Sequence, residues 1–175
     1  MTAIEGDITR QSVDAIVNAA NTAMRGGGGV DGAIHAAGGP AILADCIQRF
    51  PHGLPTGRAG WTTAGALLAR YVIHVVGPNF RAGQRDPDLL ASCYREAMTL
   101  AGDLGLATIA FPAVSAGIYG WPLDDAARIA VRTVGSFAGA TPVQEARFVL
   151  FGSATYGVFA GEVANWSQNG RDGTS

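Results

Sequence analysis

Hydrophobic positions along this chain fall into short blocks that alternate between two periods. Ile4-Glu-Gly-Asp-Ile8 reads as a short edge strand that ends in the polar turn Gly6-Asp7-Ile8-Thr9. The β-branched run Val13-Asp-Ala-Ile-Val17 is too short for a helix and predicts a buried strand. Gly57 to Leu68, with Trp61, Thr62 and Thr63, predicts a strand or hairpin arm. Tyr71-Val-Ile-His-Val-Val76 is almost wholly apolar, as a central strand covered on both faces must be, and Gly77-Pro78 ends it. Thr108-Ile-Ala-Phe-Pro112 and Arg147-Phe-Val-Leu-Phe151 complete the strands.

Between these runs the period changes to that of a helix. Val30, Ala33, Ile34 and Ala37 recur at i, i+3, i+4 and i+7 until Gly38-Gly39-Pro40 interrupts them, and Ala41 to Phe50 resumes the pattern. Leu90, Cys93, Tyr94, Ala97, Ala101 and Leu104 trace a stripe across Pro87 to Leu104. Pro122 suits the first position of a helix, and Asp124 and Asp125 suit its positive end. Leu123, Ala126, Ala127, Ala130, Val134 and Phe137 supply that helix with a buried face. Val158 to Trp166 predicts a last helix, with a disordered tail expected over 168–175. Strands alternating with helices predict a three-layer α/β/α sandwich around a mixed, mainly parallel sheet, in a single domain spanning 1–167.

Composition narrows the function. The formal net charge is −2, and the twelve basic residues are all arginines scattered singly, so a protein that works by neutralising a phosphate backbone is excluded. Cys46 and Cys93 share no ligand spacing with histidine or with each other, so no metal is expected. Neither a leader nor a membrane-length apolar run is visible, which predicts a soluble, cytoplasmic protein.

The chemistry concentrates in two glycine loops. Four consecutive glycines, Gly26 to Gly29, join the Val13–Val17 strand to the Val30–Ala37 helix, and Ser115-Ala-Gly117-Ile-Tyr-Gly120 follows the Thr108–Pro112 strand. Backbone without Cβ atoms lets a ligand approach its N–H groups, and the first amides of a helix are unpartnered and partly positive. Both loops follow a strand and precede a helix, so both belong at the carboxyl end of the sheet, where two amide-rich loops can brace two phosphates. A lone carboxylate at Asp7 suits an exocyclic amine such as that of adenine. A P-loop is excluded because the chain has no lysine. Gly27-x-Gly29-x-x-Gly32 matches the dinucleotide fingerprint, but about eight residues separate it from its strand and no acid lies near Phe50 to His52.

Gly6-Asp-Ile-Thr9, Asp14-Ala-Ile-Val-Asn-Ala-Ala-Asn21, Gly26-Gly-Gly-Gly-Val-Asp-Gly32-Ala-Ile-His35, Ile73-His-Val-Val-Gly-Pro78 and Ile109 through Gly120 together resemble the macrodomain family. Within it they are most similar to the MacroD-type ADP-ribosyl-acceptor hydrolases. The resemblance implies an ADP-ribose crevice in which Asp7 holds the adenine amine and the Ile8 amide a ring nitrogen. It gives one phosphate to the amides of Gly28, Gly29 and Val30, and the other to Ser115, Ala116, Gly117, Ile118 and Tyr119. Asn21 would bind the distal ribose, Asp31 would sit beside its anomeric carbon, and Phe151 and Tyr156 fall where an aromatic packs against adenine. The implied activity is removal of mono-ADP-ribose from Asp or Glu side chains, with Asn21 and Asp31 catalytic and without a cofactor. O-acetyl-ADP-ribose is a second candidate substrate, and a non-catalytic ADP-ribose reader is the alternative. The implied partners are ADP-ribose and mono-ADP-ribosylated proteins, with nucleic acid only if ADP-ribosylated, and the protein itself is expected to be a monomer.

The sequence departs from the family pattern at Ala116, where threonine is common, at Ala36, where a basic residue often follows the histidine, and after Phe151, where acids are often found. Each singled-out residue also has a plainer explanation. Asp31 suits the first turn of a helix as an exposed carboxylate, worth about 0.3–1 kcal/mol against the dipole. Asn21 suits a turn. His35 and His74 read as structural residues, His74 as a satisfied core or supporting side chain, while Tyr119 reads as a contact to the distal ribose.

Overall fold

Side chains that alternate along strands β2 (Ala15–Ala20) and β4 (Tyr71–Val76) divide the core in two. Val17, Ile73 and Val75 face one cluster, and Ile16, Val72 and Val76 the other. The computed structural model, which describes residues 1–172, arranges β1 (Thr2–Glu5), β2, β3 (Ala59–Thr63), β4, β5 (Thr108–Phe111) and β6 (Glu145–Leu150) in one sheet of order β1-β6-β5-β2-β4-β3. Among the described strands only β3 is antiparallel to its neighbour. Helices α1 (Gly29–Gly38) and α2 (Pro40–Arg49) contribute Ile34, Ile42 and Cys46 to the second cluster. Helices α3 (Pro87–Asp103), α4 (Leu123–Gly135) and α5 (Ser153–Asp172) cover the first, where Tyr94, Phe111, Phe148 and Phe159 stack ring against ring. The expected three-layer α/β/α sandwich with a mixed, mainly parallel sheet is therefore the observed fold.

Element ends differ from the sequence-based expectation for identifiable reasons. Strand β2 begins at Ala15 and continues to Ala20, because Asn18 and Ala20 stay in register with His74 and Val76 of β4. Strand β1 ends at Glu5, and Asp7 then caps a 3-10 turn over Ile8–Arg10. Strand β6 ends at Leu150 and leaves Phe151 outside the sheet. Pro122 caps α4 rather than opening it, and the helix stops before Phe137. Helix α5 starts five residues before Val158 and runs to Asp172, past the residues that pack on the core. Once nucleated by packing, a helix extends at little cost, so the apolar stripe underestimates its length. Helix replaces the expected tail over 168–172, and 173–175 lie outside the described residues.

Asp14 ties the start of β2 to β5. Its Oδ2 accepts the amides of Ala107 at 2.8 Å and Thr108 at 3.1 Å, while its own N–H donates to Thr108 Oγ1 at 2.8 Å. These bonds, that from Ala107 first, hold its carboxyl below the ordinary value of 3.8. A carboxyl depressed in the folded state adds stability above its unfolded pKa and loses that contribution as pH falls through the folded one. Asp14→Ala is expected to cost about 1–3 kcal/mol near pH 7 by leaving two amides unpartnered. Urea unfolding should show the gap between parent and variant narrowing toward pH 2.

Candidate active site

A cleft of about 670 Å³ opens at the carboxyl ends of β2, β5 and β6. Gly28 caps helix α1 without a side-chain bond, and the amides of Gly29, Val30 and Asp31 precede the first intrahelical partner. Gly26 and Gly29 hold φ values of 86° and 61°, which a side chain would resist. A methyl on Gly32 would sit 2.6 Å from the Gly27 carbonyl oxygen, so α1 lies hard against the loop that precedes it. The result is a row of backbone N–H groups with no Cβ in front of them.

The opposite wall is the Ser115–Tyr119 loop. Ser115 adopts φ 63°, a conformation that costs a residue with a side chain about 1 kcal/mol or more. It is held by the bond from the Trp121 amide to its carbonyl at 2.9 Å, and its buried Oγ has no partner among the described residues. Ile118 is 70% exposed, yet its Cδ1 comes within 3.9 Å of where a Cβ on Gly28 would lie. The two loops thus approach each other over the cleft at Ile118.

Asp7 lies at one end. Its Oδ1 accepts the Thr9 amide at 2.9 Å and the Thr9 hydroxyl at 2.7 Å, bonds that keep the carboxyl below its usual range, the hydroxyl's first. No bond to Oδ2 forms among the described residues. Phe151 projects beside it at 91% exposure, and Thr155 lines the same end. Tyr156, expected here, instead packs against the core cluster under α3–α5 and does not line the cleft. It follows Thr155 by about 100° around a helix, which turns it inward. The other expected contact residues, from Asp7 and Ile8 through Tyr119 to Phe151, all line the cleft.

Asn21 and Asp31 converge. A methyl on Gly27 would lie 3.1 Å from Asp31 Oδ2 and 3.2 Å from Asn21 Nδ2, so both side chains reach over the same α-carbon. Asn21 Nδ2 donates to the Gly26 carbonyl at 3.2 Å, while its buried Oδ1 has no partner among the described residues. Asp31 is only 4% exposed, which corrects the expectation of an exposed first-turn carboxylate. Its Oδ1 accepts from Asn18 Nδ2 at 2.8 Å and lies 3.4 Å from His35 Nε2, leaving Oδ2 toward Gly27 and the cleft. His35 is therefore one turn along α1 from Asp31 and in contact with it.

Asn18, which bonds Asp31, is the site neighbour that the hydrophobic pattern hides. It is wholly buried on the same face of β2 as Ile16 and Ala20. The usable signal was its parity: an amide two residues beyond a core isoleucine must find polar partners. His74 beside it is 1% exposed, and burial pushes its pKa down to about 3, with His35 opposing its charge as well. Among the described residues no group of three or more His, Cys, Asp or Glu is disposed to hold a metal, and no helix is long and apolar enough to cross a membrane.

Known proteins resemble this chain in sequence and in fold. Residues 17–130 match the Macro domain family. The chain is 58% identical over 169 residues to a macro domain-containing protein of Streptomyces nogalater, a match covering 94% of this chain and 92% of that one. It is 51% identical over 160 residues to one from Caldanaerobacter subterraneus, covering 90% and 91%. The Oceanobacillus iheyensis macrodomain with ADP superposes with a TM-score of 0.89 at 38% identity, covering 95% of this chain and 91% of that one. The Trypanosoma brucei macrodomain in complex with ADP-ribose gives 0.85 at 42% identity, covering 91% and 67%. By sequence and by fold alike, this chain belongs to the Macro domain family.

Proposed function

We propose that the cleft binds ADP-ribose and that the protein hydrolyses the ester between its distal ribose and an Asp or Glu side chain of a modified protein. Adenine packs against Phe151 with its amine on Asp7, and the diphosphate lies between the α1 amides and those of Ser115–Tyr119. ADP and ADP-ribose in the related solved macrodomains support this ligand class. The observation that carries hydrolysis is the convergence of Asn21 and Asp31 over Gly27 beside the cradle. A reader needs the cradle alone. Asn21 Oδ1, a buried acceptor without a partner, suits a ribose hydroxyl, and Asp31 Oδ2 suits a water held against a substrate phosphate.

The water adds across the ester, and free ADP-ribose and an unmodified carboxylate leave. Its proton passes to Asp31 or to the phosphate. General-base assistance of this kind typically contributes about 10²- to 10⁴-fold, and fixing the ribose supplies orientation in addition.

A protein mono-ADP-ribosylated on glutamate, mixed with excess enzyme, should release ADP-ribose in a single turnover. Calorimetry should rank ADP-ribose above AMP and NAD. Tight ADP-ribose binding with no release would make the chain a reader, and a preference for NAD would overturn the ligand assignment. O-acetyl-ADP-ribose in the same assay shows whether small esters are substrates too.

A further inference from the structure

A buried polar chain runs from Asp31 away from the cleft, through β2 and β4 to the edge strand β3. Asn18 Nδ2 contacts Asp31 Oδ1 at 2.8 Å and His74 Nδ1 at 3.1 Å. His74 Nε2 contacts Thr62 Oγ1 at 2.8 Å, and the Thr62 hydroxyl donates to the Thr63 carbonyl at 2.9 Å. Asn18, Thr62 and His74 are each at most 1% exposed.

The proton inventory of these groups fixes every direction along the chain. A hydroxyl carries one hydrogen, and that of Thr62 goes to a carbonyl, so its oxygen accepts from His74. His74 therefore carries its proton on Nε2 and leaves Nδ1 bare. A bare Nδ1 accepts one hydrogen of the Asn18 amide, and the other hydrogen then points at Asp31. The opposite amide orientation would set the Asn18 carbonyl against both a lone pair and a carboxylate. In the observed orientation Asn18 Oδ1 is buried and, among the described residues, without a partner; the flipped amide would leave its nitrogen there instead, so the carboxylate and the bare Nδ1 decide the orientation.

We infer that His74 is a positioning residue for the hydrolytic site, its Thr62-fixed tautomer forcing the Asn18 amide to present N–H to Asp31 and so to hold that carboxylate in place. This rests on the catalytic assignment of Asp31. The groups facing the imidazole support a neutral ring. Burial and His35 disfavour its cation more than Asp45 favours it. Cys46 Sγ, 3.8 Å from Nε2, remains a thiol because burial pushes its pKa up to about 11. His74 itself does not line the cleft.

Two measurements test the inference. Long-range ¹H–¹⁵N correlation spectra of the intact protein should show His74 as the Nε2–H tautomer, with Nδ1 of the unprotonated type. An Nδ1–H tautomer or an imidazolium at neutral pH would overturn it. This readout stands whether or not the protein turns over, whereas a parent without turnover would sink the hydrolase reading instead.

The second measurement compares His74→Leu with His74→Asn, side chains alike in their branching at Cγ that differ in offering Asn18 an acceptor. Single-turnover hydrolysis by His74→Leu should fall by about ten- to a hundredfold while ADP-ribose Kd stays within about twofold. His74→Asn should recover most of that loss. Equal rates in the two variants would overturn the proposal. Should neither variant fold, the tautomer spectrum of the parent decides.

Discussion

Asp31→Ala is expected to lower the single-turnover rate on a glutamate-linked substrate by at least about 10²-fold, with ADP-ribose affinity changed only several-fold. The separation follows from chemistry. The cradle is backbone and remains intact, whereas the group that orients or deprotonates the water is gone. Stability should also change, because Asp31 is buried and its removal strands the Asn18 N–H. An unpartnered buried donor costs about 1–3 kcal/mol, more than a surface carboxylate at a helix end contributes. Calorimetry and thermal melts beside the rate assay separate the three effects. Near-parental hydrolysis by this variant would point to attack assisted by the substrate phosphate alone.

Gly32→Ala should have the largest effect on binding. Its methyl would fall 2.6 Å from the Gly27 carbonyl oxygen, a backbone atom that cannot rotate aside. Either α1 or the glycine loop must shift, and either movement misaligns the phosphate amides. Losing two hydrogen bonds to a charged oxygen, each worth about 1.5–3 kcal/mol, predicts an affinity loss of about 10²-fold or more. Alanine is a better helix former than glycine by about 1 kcal/mol, so the melting temperature should fall less than the affinity does. Gly161→Ala in α5, where a methyl meets nothing within 4 Å, is the control: unchanged affinity and a slightly higher melting temperature. Parental ADP-ribose affinity in Gly32→Ala would mean that the cradle tolerates displacement.

How much of this was legible in the sequence depends on which physical rule each residue obeys. The strand runs and helical stripes follow from burial, and they gave the layers and nearly all the elements. Gly26 to Gly29 were legible as a cradle because backbone approach needs glycine wherever it occurs, whereas the close approach of Gly32 to the Gly27 carbonyl is a packing contact that only the fold reveals. Phe151 and Tyr156 were not separable, since their difference arises from where β6 stops and α5 begins. Asp31 was misjudged as exposed because Asn18, which bonds it, lies on strand β2, a contact that no local pattern encodes; only the i,i+4 contact with His35 was readable from spacing. His74 was read correctly as a satisfied core or supporting side chain. Its link to Asp31, however, depends on β2 and β4 being parallel and in register at Asn18 and His74.

A cradle made of amides rather than charged side chains also governs how a ligand arrives. Among the described residues no lysine or arginine lines the cleft, and the molecule as a whole carries a formal net charge of −2. The field of a helix terminus fades within a turn, so a diphosphate in solution feels no long-range pull toward its site. Encounter is then unsteered diffusion, little altered by ionic strength, unlike the salt-sensitive capture of an anion in a basic funnel. Discrimination among adenine nucleotides is exercised after contact, in how long each one stays.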